Sequence, residues 1–161
     1  MSKNNNVVAG YNDFVKTFKK LHTLSGIVLI LDNKILLVNP KKFQDQKNKW
    51  SIPKGHVESD YTSLESALKE LSEEANIDIP EFKFYKCETG NIVYTKGNAQ
   101  KDLEYYILKI NRNDLPFKLY NDMILKYYLA KGEICEAGFF DKNEAKDLIE
   151  QAQLPILKHL G

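Results

Sequence analysis

Three glutamates, Glu70, Glu73 and Glu74, stand at i, i+3 and i+4 within the run TSLESALKELSEEANI. On an α-helix that spacing spreads them over about 100° of one face. Carboxylates this close repel one another unless a cation or solvent intervenes. Hard divalent cations take several oxygen ligands, so the trio is a natural platform for Mg²⁺, with Mn²⁺ as a substitute. A solvated acidic helix face has the same composition, so the residues ahead of the helix carry weight. Pro53-Lys54-Gly55 joins a fixed bend to a residue without a Cβ. Such a turn can bring a backbone carbonyl against the glutamate helix as a further oxygen ligand.

These groups need elements to position them. Thr62-x-x-Glu65 is a capping box that starts a helix, and Leu64, Ala67, Leu68, Leu71 and Ala75 form its apolar stripe. Asn76 suits the left-handed position that ends it. Gly26–Leu31 and Lys34–Val38 read as two strands joined by a tight Asp32-Asn33 hairpin. Pro40–Lys49 is a polar loop, and Trp50–Pro53 resumes an extended path. Phe82–Cys87, Asn91–Thr95, Leu103–Ile110 and Glu133–Phe140 read as further strands. Asp122–Lys131 fits either a helix or a long strand. Asp141-x-x-Glu144 is a second capping box, and Pro155 is expected to interrupt the helix it opens. Tyr11–Leu21 fits a short helix or an irregular arm. The order predicts a mixed β-sheet between helices, an α/β/α sandwich over residues 21–161, behind an extension over 1–20.

Composition narrows the partners. With 161 residues and a net charge of +1, the chain holds one core and lacks a field for duplex DNA. No run is long and apolar enough to cross a bilayer as a helix, and the polar start lacks a secretory pattern, so a cytoplasmic location is expected. Cys87 and Cys135 form no CxxC motif and are expected to be buried thiols. Arg112 is the sole arginine among 23 basic residues, so lysine replaces arginine widely here.

The segment from Trp50 to Ile77 resembles the Nudix box, G-x5-E-x7-R-E-U-x-E-E-x-G-U, where U is aliphatic. Six of its nine specified positions match: Gly55, Glu70, Leu71, Glu73, Glu74 and Ile77. The preceding Trp50-x-x-Pro53-Lys54-Gly55-His56-x-Glu58 is similar to the run that introduces this box in many members. Asn76 replaces a glycine, Lys69 an arginine and Tyr61 a glutamate. The last two are partners in the family, so Asp60 or Glu58 is needed as a substitute carboxylate. The resemblance implies Mg²⁺-dependent hydrolysis of a diphosphate linkage in a nucleotide-like substrate. It gives Glu73 and Glu74 as direct metal ligands, Glu70 as a further ligand or the base, and the Lys54 carbonyl as an additional ligand. Many members add a distal glutamate. Glu133 has the spacing to Phe139 seen in dinucleoside polyphosphate and RNA-end hydrolases, with Glu136 and Glu104 as competitors.

The same resemblance bears on the substrate. Tyr94 lies 17 residues past Ile77, where dinucleoside polyphosphate hydrolases tend to place a tyrosine. Lys41, Lys42, Lys47 and Lys49 flank the bend as possible phosphate contacts, and Lys54, Gly55 and His56 lie beside it. His22 and His159 are expected to be incidental, and Trp50 to pack or to stack on a base. The expected partner is a small-molecule nucleotide or an RNA 5′ end, bound by a monomer or homodimer. A dinucleoside polyphosphate or a 5′-triphosphorylated or capped RNA end is favoured. A nucleoside triphosphate or ADP-ribose pyrophosphatase, or a non-catalytic nucleotide-binding module, is the alternative.

Overall fold

The computed structural model describes residues 20–43, 45–129 and 132–161. Its six strands are β1 (Lys20–Leu31), β2 (Lys34–Pro40), β3 (Lys54–His56), β4 (Glu88–Lys96), β5 (Ala99–Ile110) and β6 (Ile134–Phe140). Two α-helices, α1 (Ser63–Ala75) and α2 (Lys142–Leu148), and several 3₁₀ segments complete it. The sheet order is β4-β5-β1-β2-β6, with β3 also on β1. β1 and β5 run parallel and the other pairs antiparallel, so the sheet is mixed.

β1 organises the molecule. Ile27, Leu29 and Leu31 join the core under α1, while Val28 and Ile30 join the core under α2 and the C-terminal 3₁₀ segment. This is the period-two alternation of a strand covered on both faces, and it makes the α/β/α layering. β5 lines one edge of β1 along its whole length. The other edge divides: Leu24–Gly26 pairs with β3, and Ile30–Leu31 with β2. Between the two, Ile27 N–H donates to the Pro53 carbonyl at 3.1 Å, so the Trp50–Pro53 segment crosses where the strands part. Gly26 permits this crossing, because a Cβ there would lie 2.7 Å from the Pro53 oxygen.

Both capping boxes form. Thr62 Oγ1 accepts from Glu65 N–H at 3.0 Å and the Glu65 carboxylate accepts from Thr62 N–H at 2.8 Å; Asp141 and Glu144 repeat the arrangement. Asn76 ends α1 at φ 57°. Asp32 and Asn33, with φ of 52° and 60°, make the hairpin turn.

Four elements depart from expectation. Phe82–Cys87 is not a strand: Glu81–Phe84 is 3₁₀. Phe82 is 64% exposed and Phe84 3%, so the two do not share a face as strand residues would. Asp122–Lys131 is neither helix nor long strand; in its described part Met123 bridges to Tyr120 and Gly138, and Lys126–Tyr128 is one 3₁₀ turn. Pro155 does not break the last helix. The break falls at Ile149–Glu150, and a 3₁₀ helix, Gln151–His159, runs through the proline. Leu21, placed in a helix or arm from Tyr11, belongs to β1, while the rest of that segment lies outside the described residues. Cys87 and Cys135 are half-buried free thiols rather than core residues. No described helix is long and apolar enough to cross a membrane.

Candidate active site

Lys54 and Gly55 of β3, with Glu70 and Glu74 of α1, make an acidic part of the lining of one large cavity, about 870 Å³ in volume. β3 pairs with β1, with Gly26 opposite Lys54 and Ser25 opposite Gly55, so these two residues are strand rather than the turn expected from the sequence. Ser51 and Val38 exchange backbone hydrogen bonds at 2.8 and 2.9 Å, fixing the approach to β3. A Cβ on Gly55 would overlap the Glu70 carboxyl group, 2.5 Å from its Oε2 and 2.8 Å from its Oε1. The glycine therefore leaves the space that the Glu70 carboxylate occupies. One turn along α1, Glu74 Oε1 accepts from Lys54 N–H at 3.3 Å.

Proximity and burial set the electrostatics. Glu74 is pushed up to about 8, first by burial and then by Glu70, against the opposing Lys54 N–H. Glu70 is pushed up to about 7 by burial and then by Glu73, with Lys69 opposing and Glu133 adding to the rise. Burial lowers the pKa of the Lys54 ammonium, while Glu150 and Glu74 counteract the fall. His56 is lowered by burial and by Lys101, His22 and Lys54, which keeps it neutral near pH 7.

Glu73 stands apart from the other two glutamates. It does not line the cavity; its carboxylate lies 3.7 Å from Lys69 Nζ and is half exposed. Lys69 finds its main partner in Glu58, at 2.7 Å. Glu58, rather than Asp60, thus supplies the carboxylate that Tyr61 does not. Tyr61 is 42% exposed, with Lys69 Nζ 5.4 Å above its ring. Of the three distal glutamates, Glu133 lines the cavity. Glu136 accepts from Asn39 Nδ2 at 3.3 Å, and Glu104 from Ser63 Oγ at 2.6 Å; neither lines it.

Much of the remaining lining is cationic and aromatic. Lys41, Lys42, Lys49, Lys54, His56 and Tyr94 line the cavity, whereas Lys47 does not. Sequence reasoning missed several neighbours. Lys96, Lys101 and Glu150 line it too, as does Phe43, whose ring is 5.1 to 5.4 Å from the ammonium groups of Lys42, Lys49 and Lys96. Tyr94 sits opposite Lys101 on the β4–β5 hairpin, so a tyrosine at a hairpin with flanking lysines was the available signal. Glu150 had none, since it lies about 75 residues from the motif and next to it only after folding. His22 stands edge-on to His56 at 5.5 Å, His159 Nε2 meets the Tyr105 hydroxyl at 3.0 Å, and Trp50 packs edge-on to Phe140 at 5.1 Å.

The donor set fits a hard divalent cation. Glu70, Glu74, Glu133 and the Lys54 carbonyl offer only oxygen, and two of the carboxylates ionise with difficulty without positive charge nearby. Among the described residues no three His, Cys, Asp or Glu side chains form a ready-made cage. Mg²⁺ does not need one: it keeps waters and commonly uses one or two carboxylates together with substrate phosphates.

Comparison with known proteins agrees with this geometry. The chain is 27% identical over 96 residues to the asymmetrical bis(5′-nucleosyl)-tetraphosphatase of Sus scrofa, covering 60% of this chain and 65% of that protein. The matched stretch therefore spans a little under two thirds of that relative. The fold matches an Ap4A hydrolase binary complex from C. elegans with a TM-score of 0.62 at 20% identity, over 85% of this chain and 93% of that one. It also matches a MutT NUDIX hydrolase from Burkholderia pseudomallei, TM-score 0.63 at 14% identity, over 89% of this chain and all of that one. At such identities the structural matches speak for the fold. The family model for the NUDIX domain matches residues 20–160, nearly the whole chain, and the protein belongs to the Nudix family.

Proposed function

We propose that this protein hydrolyses a diphosphate linkage in a nucleoside polyphosphate, with a dinucleoside polyphosphate as the favoured substrate and Mg²⁺ as the cofactor. The observation that carries the reading is the lining of one continuous cavity. Oxygen ligands and lysines with aromatic rings line it together. A polyphosphate chain needs both, a cation where the bond breaks and fixed positive charge along its length. The pig relative is named for cleaving a bis(5′-nucleosyl) tetraphosphate, and that similarity favours the dinucleoside substrate.

Glu74 and the Lys54 carbonyl would hold the ion, with Glu133 adding charge from the cavity lining and Glu73 from outside it. When bound, Mg²⁺ supplies neutralisation of the phosphate oxygens. The chain's own groups do the rest. Glu70, packed on Gly55 and poised near neutrality, takes the proton from the attacking water. Lys42, Lys49 and Lys96 hold the phosphate chain in line, and Tyr94 offers a face to a base.

The test is a product screen. Dinucleoside polyphosphates, nucleoside triphosphates, nucleotide sugars including ADP-ribose, and triphosphorylated RNA are incubated with Mg²⁺ or with chelator. Turnover only with metal, highest on a dinucleoside polyphosphate, is the expected result. Binding of these nucleotides without product under any metal would overturn the hydrolase reading and leave a nucleotide-binding module.

A further inference from the structure

Glu150 lines the cavity beside one of its lysines, Lys96, away in sequence from the glutamates of the motif. It follows α2, on the sheet face opposite α1, and its side chain is 17% exposed. Its position is built. Gln153, fully buried, donates from Nε2 to Glu150 Oε2 at 3.0 Å and to Ser51 Oγ at 2.9 Å, and accepts from Ile52 N–H at 3.1 Å. Glu150 N–H itself donates to the Trp50 carbonyl at 2.9 Å. The segment leading into Lys54 and the glutamate are thus locked together.

The carboxylate is only partly used. A carboxylate has about four acceptor sites, and among the described residues its one hydrogen-bond donor is Gln153. Lys96 Nζ forms an ion pair with Oε1 at 3.7 Å, beyond hydrogen-bond reach, and Glu150 also raises the pKa of the Lys54 ammonium against its burial. Tyr94 lines the same cavity. A carboxylate that would repel phosphate, with hydrogen-bond acceptor sites unfilled in a cavity that also holds an aromatic ring, matches the uncharged and hydrogen-donating part of a substrate.

We infer that Glu150 is a specificity-determining residue whose carboxylate, lining the cavity with acceptor sites unfilled by any described hydrogen-bond donor, accepts a hydrogen bond from the nucleoside, either a ribose hydroxyl or a base amine. The inference rests on the polyphosphate reading of this cavity and names the group that selects the nucleoside. Inorganic tripolyphosphate carries the phosphates without the donor. It therefore gains nothing from Glu150, and is repelled by it.

The experiment compares wild type, Glu150→Gln and Glu150→Asp on a bis(adenosyl) tetraphosphate, ATP, 2′-deoxy-ATP, the ATP analogue lacking the exocyclic amine, and inorganic tripolyphosphate. Gln keeps the shape and the bond from Gln153, whereas Asp keeps the charge and withdraws it. In both variants the kcat/KM preference for nucleoside over tripolyphosphate falls about tenfold or more, mainly through KM, as expected on losing a hydrogen bond to a charged group. The analogue on which variant and wild type no longer differ identifies the donor, ribose or amine. Thermal denaturation identifies a variant that has lost its fold, and the other variant then decides. A preference that changes less than threefold in a folded variant overturns the inference while leaving the hydrolase reading intact. Absence of wild-type turnover on every substrate overturns both.

Discussion

The acidic and the cationic groups that line the cavity are positioned in different ways. Apart from Glu133, the oxygen donors come from one contiguous stretch, Lys54 to Glu74, in which a capped helix is pressed onto β3. Glu70 and Glu74 are half-buried and raised in pKa. The other lysines are gathered from the Lys41–Lys49 loop and the β4–β5 hairpin, on exposed or half-exposed side chains. Rigid, desolvated groups suit bond breaking, where charge stabilisation is worth most in low dielectric. Solvated lysines suit holding and selecting a chain of phosphates, where each contact is worth less and salt screens it.

On that division, the largest loss belongs to the acidic groups. Glu74→Gln should lower kcat by about 10²–10³ with the fold retained, as for loss of a charge-stabilising group. Glu73→Gln should also reduce turnover, but by less, because Glu73 lies outside the cavity beside Lys69. Equal losses, measured at saturating substrate, would erase the distinction between the two neighbours.

Gly55→Ala should come next. Its methyl group would overlap the Glu70 carboxyl group. Overpacking of this kind costs about 1–3 kcal/mol, and it displaces the proposed base. Denaturant unfolding and kcat on the same sample check both; an unaffected kcat would remove Glu70 from the chemistry.

The acidic groups should also reveal themselves by pH. Glu70 and Glu74 are raised to about 7 and about 8 in the folded chain, against 4.5 for the free group. The folded state therefore holds these protons more tightly than the unfolded one. Stability from this source is full below about pH 4.5 and is lost as pH rises through about 8. Metal-free protein should melt progressively lower from pH 5 to pH 9, and Mg²⁺ should restore the melting temperature most at the alkaline end. Glu74→Gln should flatten the profile. A metal-free melting temperature that climbs over this range would contradict the assigned burial.

At the lysines and Tyr94 effects should be smaller and substrate-dependent. Lys42→Gln with Lys49→Gln should raise KM a few-fold, more at low salt, and most for the longest phosphate chains. Tyr94→Ala should weaken a dinucleoside substrate more than a triphosphate. Smallest of all, Tyr61→Glu should change stability by no more than about 0.5 kcal/mol, since Lys69 already pairs with Glu58. A large change there would mean that Tyr61 contributes packing its exposure does not show.

What the amino-acid order determined by itself is what depends on neighbours in sequence. The capping boxes, the Asn76 stop, the Asp32-Asn33 turn and the glutamate spacing are local, and each is realised in the structure as read. The same holds for the strands of the core, because burial on both faces leaves an apolar run that nothing else explains. Short segments whose path depends on what they pack against were not legible: Glu81–Phe84, the loop through Met123, and the passage across Pro155. Only the tertiary structure decided that Glu58 serves Lys69 and that Glu73 turns outward. Among the distal glutamates it brings to the cavity Glu133, the one the spacing to Phe139 had put first, and it sets Glu150 in the same cavity as Tyr94, 3.7 Å from Lys96. Glu150, Lys96 and the motif stand far apart along the chain, and only the packing of their elements brings them into one cavity.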